Sequence, residues 1–404
     1  MKLQDIITVL TFLLLVSCNG RHESAIIERI PEPSIKTTVS DNIFCLNIKD
    51  QPLKHDFMTS VIDSIEIIRL ETTEESIIGR IGSVNVLNDY LIIADDMASG
   101  NVLAFDKTGR YSHKIGSYGE GPEEYASIGQ VFVHDDMIYV YDRSHSKLIT
   151  YDVLGNHICT MSFTPISSPS KIYAVNQNSY VGTHAGYFKR NPFEIVFISS
   201  SDSITGNALP FKYTRPKIAG EIVNDCSGRT LFYTVMSDTI YSIIDSEITA
   251  VGLFGLYEDN EVKDYMEKTA YMDKTEYRNS LFGLSDNEIV NHISLTVLSN
   301  YWLVNWQTQK GAYISVINPT NYKSENYIRT DRLSKYCNFP FVIVGSDGDS
   351  FFSSLDESFF SLNDENIRKI SNIFEQKYNQ HLINLDFENS NPLLIKFTLK
   401  NKDI

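Results

Sequence analysis

Asn88-Asp89-Tyr90-Leu91-Ile92-Ile93-Ala94-Asp95-Asp96, followed by Val102-Leu103-Ala104-Phe105-Asp106-Lys107-Thr108-Gly109, is answered further along the chain. The second copy reads His134-Asp135-Asp136-Met137-Ile138-Tyr139-Val140-Tyr141-Asp142, then Leu148-Ile149-Thr150-Tyr151-Asp152-Val153-Leu154-Gly155. At a spacing of 46 residues, Asp89 falls on Asp135, Asp96 on Asp142, Asp106 on Asp152 and Gly109 on Gly155. Both copies hold short apolar and aromatic runs separated by Asn, Asp and Gly turns, the chemistry of strands and tight turns. A period of this size is the pattern of a propeller blade, four antiparallel strands around a central channel.

Working outward, the first copy predicts strands over Ile81–Val86, Tyr90–Asp95, Val102–Asp106 and Tyr111–Ile115. The second predicts Gly129–His134, Met137–Tyr141, Leu148–Asp152 and His157–Phe163. Consecutive apolar residues such as Leu91-Ile92-Ile93-Ala94 suit strands buried on both faces by neighbouring blades. Degenerate copies follow around Lys171–Ile198, Ile222–Phe254 and Ile293–Ile328, and a last one opens at Phe341–Val344 and Ser350–Ser353. Pro392–Leu399 supplies its third strand and the early run Ile65–Leu70 its fourth, so the two ends of the chain close the ring and remove the exposed sheet edges. The expected class is all-β, a six-bladed β-propeller with a helical insert and a C-terminal helix. Val262, Tyr265, Met266 and Ala270 recur at helical spacing within the insert, 258–290, and Ile367, Ile370, Phe374 and Tyr378 within the terminal helix, 363–383.

The run Ile115-Gly116-Ser117-Tyr118-Gly119-Glu120-Gly121-Pro122-Glu123-Glu124-Tyr125, with Val140-Tyr141-Asp142-Arg143 behind it, resembles an NHL-type repeat. With Leu15-Val16-Ser17-Cys18, Asp238-Thr239-Ile240-Tyr241 and Asn391-Pro392-Leu393-Leu394, the chain resembles the six-bladed β-propeller lipoproteins of Gram-negative gut-type bacteria, from about Ile62 to Leu399. The resemblance implies the fold and an envelope location, and no particular activity.

The N-terminus fits that address. Lys2 precedes the apolar run Ile6–Val16, too short to span a bilayer and shaped as a secretory leader. Cys18 then stands where a lipobox cysteine is lipidated, and Asn19 behind it carries no inner-membrane retention signal. The expected organisation is a signal peptide over 1–17, a tether and N-terminal extension over 18–60 with Asn19 to about Val39 as the polar tether, and the propeller over 61–404. Membrane attachment would run through the Cys18 lipid alone, on the outer membrane, facing periplasm or cell surface. Cys45, Cys159, Cys226 and Cys337 are scattered through apolar stretches and read as buried small hydrophobes, with no disulfide pair named by spacing. The net charge of −16, without any Lys/Arg cluster, repels polyanions and excludes nucleic acid as a partner.

Catalytic signatures are missing. Gly116-x-x-Gly119-x-Gly121 lacks the Lys-Ser/Thr of a phosphate loop and reads as a blade connection. Asp347-Gly348-Asp349, Asp95-Asp96 and Asp135-Asp136 offer oxygens for calcium but lack the alternating spacing followed by Glu, so turn formation is the simpler role and no cofactor is expected. The histidines lack a Gly-x-Ser-x-Gly or His-Glu-x-x-His context. What remains is a loop face bearing Tyr118, Glu120, Arg143, His145, His184, Tyr187, Lys189, Arg190, Trp306 and Gln307. Aromatic planes beside such donors suit a glycan, peptide or envelope-protein partner. The reading is a binding or scaffold module; the alternative is a propeller hydrolase or lyase acting on a polysaccharide or peptide in the channel.

Overall fold

Thr37–Cys45 forms β1, Ile48–Asp50 a 3-10 turn, Leu53–Lys54 β2, Phe57–Ser60 the short helix α1 and Ile62–Ile68 β3. Blade one is β4 (Ser83–Leu87), β5 (Tyr90–Asp95), β6 (Asn101–Asp106) and β7 (Tyr111–Lys114). Blade two is β8 (Ile128–His134), β9 (Met137–Asp142), β10 (Lys147–Tyr151) and β11 (His157–Ser162). Blade three is β12 (Lys171–Asn176), β13 (Ser179–Thr183), β14 (Phe193–Ser199) and β15 (Ile204–Pro210). Blade four is β16 (Glu221–Asn224), β17 (Thr230–Tyr233), β18 (Thr239–Ile244) and β19 (Glu247–Leu253). Blade five is β20 (His292–Val297), β21 (Trp302–Gln307), β22 (Gly311–Ile317) and β23 (Ser324–Asp331), with β24 (Tyr336–Cys337) paired to β23. Blade six is β25 (Ile343–Ser346), β26 (Ser350–Leu355), β27 (Leu393–Leu399) and β3, with helix α2 (Asp364–Tyr378) between β26 and β27.

This computed structural model describes residues 32–163, 168–176, 179–184, 192–201, 203–211, 220–225, 228–234, 237–256, 290, 292–308, 310–331, 336–337, 339, 341–355, 364–382 and 390–401. The leader, Cys18, most of the tether and, apart from Val290, the insert expected over 258–290 lie outside them.

The first strands of the blades form an inner ring. β4 packs on β8, β8 on β12, β16 on β20, β20 on β25 and β25 on β4. Between blades three and four, the Lys171–Glu221 ion pair joins the first residues of β12 and β16. Closure follows the expected route: β27 pairs antiparallel with β3, from Leu394 opposite Ile68 to Leu399 opposite Ile62. Phe397 of β27 is fully buried and stacks on Phe351 of β26, with centroids 5.0 Å apart. Ile370 and Phe374 of α2 join this same core, and Tyr378 donates to the Ile62 carbonyl at 3.2 Å, fastening the helix to the latch strand.

The repeat needs a one-residue correction. Asp95, not Asp96, is the counterpart of Asp142: each ends the second strand of its blade and is fully buried. Asp95 accepts hydrogen bonds from the backbone N–H of Gly79, Ala98 and Ser99. Asp142 accepts from Ala126, Ser144 and His145. Tyr90 and Met137 open the second strands 47 residues apart, while Asn101 and Lys147 open the third strands 46 apart. The turn between second and third strands is therefore one residue shorter in blade two, and a constant period hides the offset. For the same reason Asp89 corresponds to Asp136, not Asp135.

Asp106 and Asp152 keep their equivalence. Asp106 caps the N–H groups of Thr108 and Arg110, and Asp152 those of Leu154 and Asn156. Gly109 and Gly155 follow at φ 90° and 82°, a region that favours glycine. A Cβ on Gly109 would stand 2.3 Å from the Arg69 carbonyl, and one on Gly155 2.6 Å from that of Lys114. Each turn thus presses its glycine against the outer strand of the preceding blade.

Two expectations change. From Thr37 onward the extension is part of the propeller: β1 adds to the outer edge of blade four, parallel to β19, and β2 adds to blade five, parallel to β23. An outermost strand leaves unpaired N–H and C=O groups, and these additions cover them. Leu46 and Ile48 are buried, and Phe44 stacks on Tyr322 at 4.2 Å. Cys45 and Cys159 are exposed rather than buried, because β1 and β11 are outermost strands with a face toward water. Cys226 and the Cys337 side chain lie outside the described residues.

Candidate functional site

The loop-face residues of the sequence reading divide into separate groups. Tyr118, Glu120, Arg143 and His145 are exposed along the seam between blades one and two. The connection carrying Tyr118 and Glu120 is closed by Gly119 N–H to the Tyr125 carbonyl at 3.0 Å, and Lys147 Nζ donates to the Gly121 carbonyl at 2.7 Å. Gly116-x-x-Gly119-x-Gly121 is thus a blade connection, with Gly116 at φ 61° beneath the Tyr151 ring. His145 Nδ1 sits 2.9 Å from Asp142 Oδ2. That carboxylate is already occupied by backbone donors, so the pair holds the turn in shape.

His184 is 5% exposed, which takes it out of the surface set. Burial lowers its pKa from the usual value to about 4, so the ring is neutral in ordinary buffers. Tyr187, Lys189 and Arg190 lie outside the described residues. Asp95 shows how backbone donors act on a buried acid: burial opposes its charge, yet the N–H groups of Ser99, Ala98 and Gly79 outweigh this and hold the carboxyl below its usual range.

At the channel mouth, Lys171, Glu221 and His292 begin the inner strands of blades three, four and five. Glu221 is held by Lys171 and by the Tyr173 hydroxyl at 3.2 Å. Burial lowers the His292 pKa, with Glu221 acting in the opposite sense. A carboxylate already bonded to an ammonium and a phenol is a structural clasp between blades rather than a base aimed at a substrate. Among the described residues no three His, Cys, Asp or Glu side chains gather as a metal group.

Trp306 is different, because it borders a cavity of about 340 Å³. The space suffices for one or two ring-sized groups. Trp306 is the penultimate residue of β21, and β22 returns so that Tyr313 is its cross-strand partner. The rings stack with centroids 4.2 Å apart, so that each covers a face of the other, and both border the cavity. The Trp306 indole N–H donates to Ser315 Oγ at 3.0 Å, which in turn donates to Asn326 Oδ1 at 2.7 Å. Asn326 donates from its amide to the carbonyls of Ile48 and Gln51, fixing the N-terminal extension against the blade. Lys49 and Gln51 of that extension, with Thr308 and Lys310 of the β21–β22 turn, supply the polar rim. Leu53, Leu256 and Val290 complete an apolar side.

Only Trp306 of this group stood out in the sequence. The predicted hairpin implied Tyr313 opposite it. No local pattern could have brought in Lys49 and Gln51, which reach the cavity through pairing across more than 270 residues of chain.

A Bacteroides fragilis protein described as exported is similar in structure over 89% of this chain and 99% of its own, at 19% identity and a TM-score of 0.69. A DUF4221 family member from Bacteroides vulgatus covers 91% of this chain and 98% of its own, at 12% identity and a TM-score of 0.46. Virginiamycin B lyase from Staphylococcus aureus covers 83% and 99%, at 12% identity and 0.44. The first likeness is one of fold. No curated protein matches the chain. No helix among the described residues is long and apolar enough to cross a membrane. The six-bladed ring, closed between β27 and β3, coincides with a family match over residues 45–398, and the chain belongs to that family, described as a domain of unknown function, DUF4934.

Proposed function

We propose that this protein is an envelope lipoprotein, anchored through Cys18 to the outer membrane, whose propeller is a binding module for a saccharide. The observation that carries the saccharide reading is the blade-five cavity with its stacked Trp306–Tyr313 pair and polar rim. An aromatic face takes up the apolar C–H side of a sugar ring, and amide and hydroxyl groups orient its hydroxyls. The tetrapeptide Leu15-Val16-Ser17-Cys18 and the exported relative support the address. The net charge of −16 argues against a nucleic acid partner.

The test is a glycan array with the mature protein, followed by calorimetry on the strongest hit. Tyr313→Ala, at a half-buried position, should weaken that hit at least tenfold while the protein stays folded by circular dichroism. Retention of full affinity in Tyr313→Ala, or an array without a hit, would overturn the reading. Palmitate incorporation in cells should vanish in Cys18→Ala; labelling that persists would remove the anchor.

A further inference from the structure

His145, His157 and His113 of blades one and two each have a ring nitrogen 2.9 Å from a partner, and the partners settle where the proton sits. Asp142 only accepts, so His145 carries its proton on Nδ1, and no hydroxyl meets its Nε2 among the described residues. Thr160 gives its hydroxyl proton to the Pro122 carbonyl at 2.6 Å, so His157 Nε2 donates to Thr160 Oγ1. That hydroxyl has no base to receive its proton. His113 has the reverse arrangement. The Val153 carbonyl only accepts, which puts the His113 proton on Nε2. Nδ1 of the neutral ring then offers a lone pair, and it accepts the Ser112 hydroxyl at 2.9 Å. Hydroxyl, base and orienting acceptor stand in the order that an activated nucleophile requires.

The backbone shape around Ser112 belongs to the repeat, but the chemistry does not. In β6–β7 the pairs Ala104–His113 and Phe105–Tyr111 leave Ser112 as an extra, bulged residue. In β10–β11 the pairs Thr150–Cys159 and Tyr151–His157 leave Ile158 in the same place. A bulge re-aims a side chain, and both of these are exposed. The bulge forms with Ile-Cys as well as with Ser-His, so blade one does not need the serine–histidine bond to hold its shape. Tyr90 packs edge-on against the His113 ring at 5.3 Å and steadies it. Asp152 brings negative charge close by: its carboxyl lies below the usual range, chiefly through hydrogen bonding to Asn156, with His113 also contributing.

We propose that Ser112 is a nucleophile with His113 as its base, and that it takes acyl groups from esters. Ser112 Oγ bonds to the ester carbonyl carbon as its proton passes to His113 Nδ1. The bond from that carbon to the alcohol oxygen breaks, and His113 returns the proton to the departing alcohol. Water, giving its proton to the same nitrogen, then releases the carboxylic acid and restores Ser112. A carbonyl orients the ring but carries no full charge, so turnover is modest and the acyl-serine is the product to measure.

The test incubates the mature protein with p-nitrophenyl acetate, and separately with a fluorophosphonate, and maps the adducts by mass spectrometry. Ser112 should carry the adduct, well ahead of the exposed Ser144 and of Thr160. His113→Gln, checked for folding by circular dichroism, should slow Ser112 labelling by about tenfold or more. Ser112→Ala, at an exposed position, should remove both the adduct and the early burst of p-nitrophenol. No adduct on Ser112, labelling of Ser144 at the same rate, or an unchanged rate in His113→Gln would overturn the assignment.

Discussion

Blades one and two differ from blades four and five in what they do with their edges. In the first pair each second strand ends in a buried aspartate, Asp95 or Asp142, which gathers backbone N–H groups from its own turn and from the incoming connection. Each blade fastens itself, and its outer strand stays the outer strand. In the second pair that position holds no aspartate: β17 ends at Tyr233 and β21 at Gln307. These blades acquire β1 and β2 on their outer edges, and the Trp306 cavity lies against blade five. The difference teaches that regular blades use their polar groups for internal fastening, whereas irregular ones are completed by a distant segment that also builds a site.

The strongest way to break this comparison is to remove residues 33–51. Leu46 and Ile48 are buried, and each such side chain contributes about 1.5–3 kcal/mol. With the loss of β1 pairing, urea unfolding should report a loss of about 5 kcal/mol, and saccharide binding should vanish. A change below about 1 kcal/mol would show that blades four and five are as self-sufficient as the regular pair.

Asp142→Ala tests the other side. It strands backbone donors and leaves Lys147, 6% exposed, without the carboxylate 4.0 Å away. A cost of about 3–4 kcal/mol is expected from an uncompensated buried charge. Asp95→Ala, which strands neutral donors only, should cost less, about 2–3 kcal/mol. Equal costs in the two variants would show that Lys147 contributes nothing to the fastening of blade two.

A smaller effect sharpens the contrast with blade three, where His184 follows the second strand. Its folded pKa, about 4, lies below the unfolded value near 6.5. Between those values the unfolded chain binds the extra proton, so this contribution falls as pH drops from 6.5 toward 4 and is intact above 6.5. Unfolding free energies from urea titrations at pH 7 and 4.5 should differ by about 2–3 kcal/mol more in the natural protein than in His184→Gln. Asp95, with its carboxyl pKa also lowered, acts in the same direction but in a more acidic window: its contribution is complete above the ordinary carboxylate range and is lost as pH falls from there through its lowered folded value. Blade three should therefore weaken at a pH where blades one and two still hold. An identical pH response in His184→Gln would remove that distinction.

The number of blades, the closing strand and the terminal helix were legible because their causes are local. Asn88-Asp89 and Asp135-Asp136 make tight turns wherever they occur, Asp106 and Asp152 cap the turns that contain Gly109 and Gly155, and Leu393–Leu399 is too apolar to lie anywhere but inside a sheet. β1 was not legible. Its residues are almost all exposed or half-buried, so it carries no alternation and reads like a tether. The one-residue slip between Asp95 and Asp96 shows the same limit, since a turn loses a residue without disturbing the pattern on either side.

From the sequence alone came the radial array of four-stranded sheets and the aromatic Trp306, because strand and turn chemistry act over a few residues. The tertiary structure alone decided where the extension lies and what surrounds Trp306. Those outcomes rest on hydrogen bonds and contacts between segments some 200 to 280 residues apart, such as Thr38 with Ile248 and Asn326 with Ile48, where each partner is chosen by the shape and unpaired groups of the other.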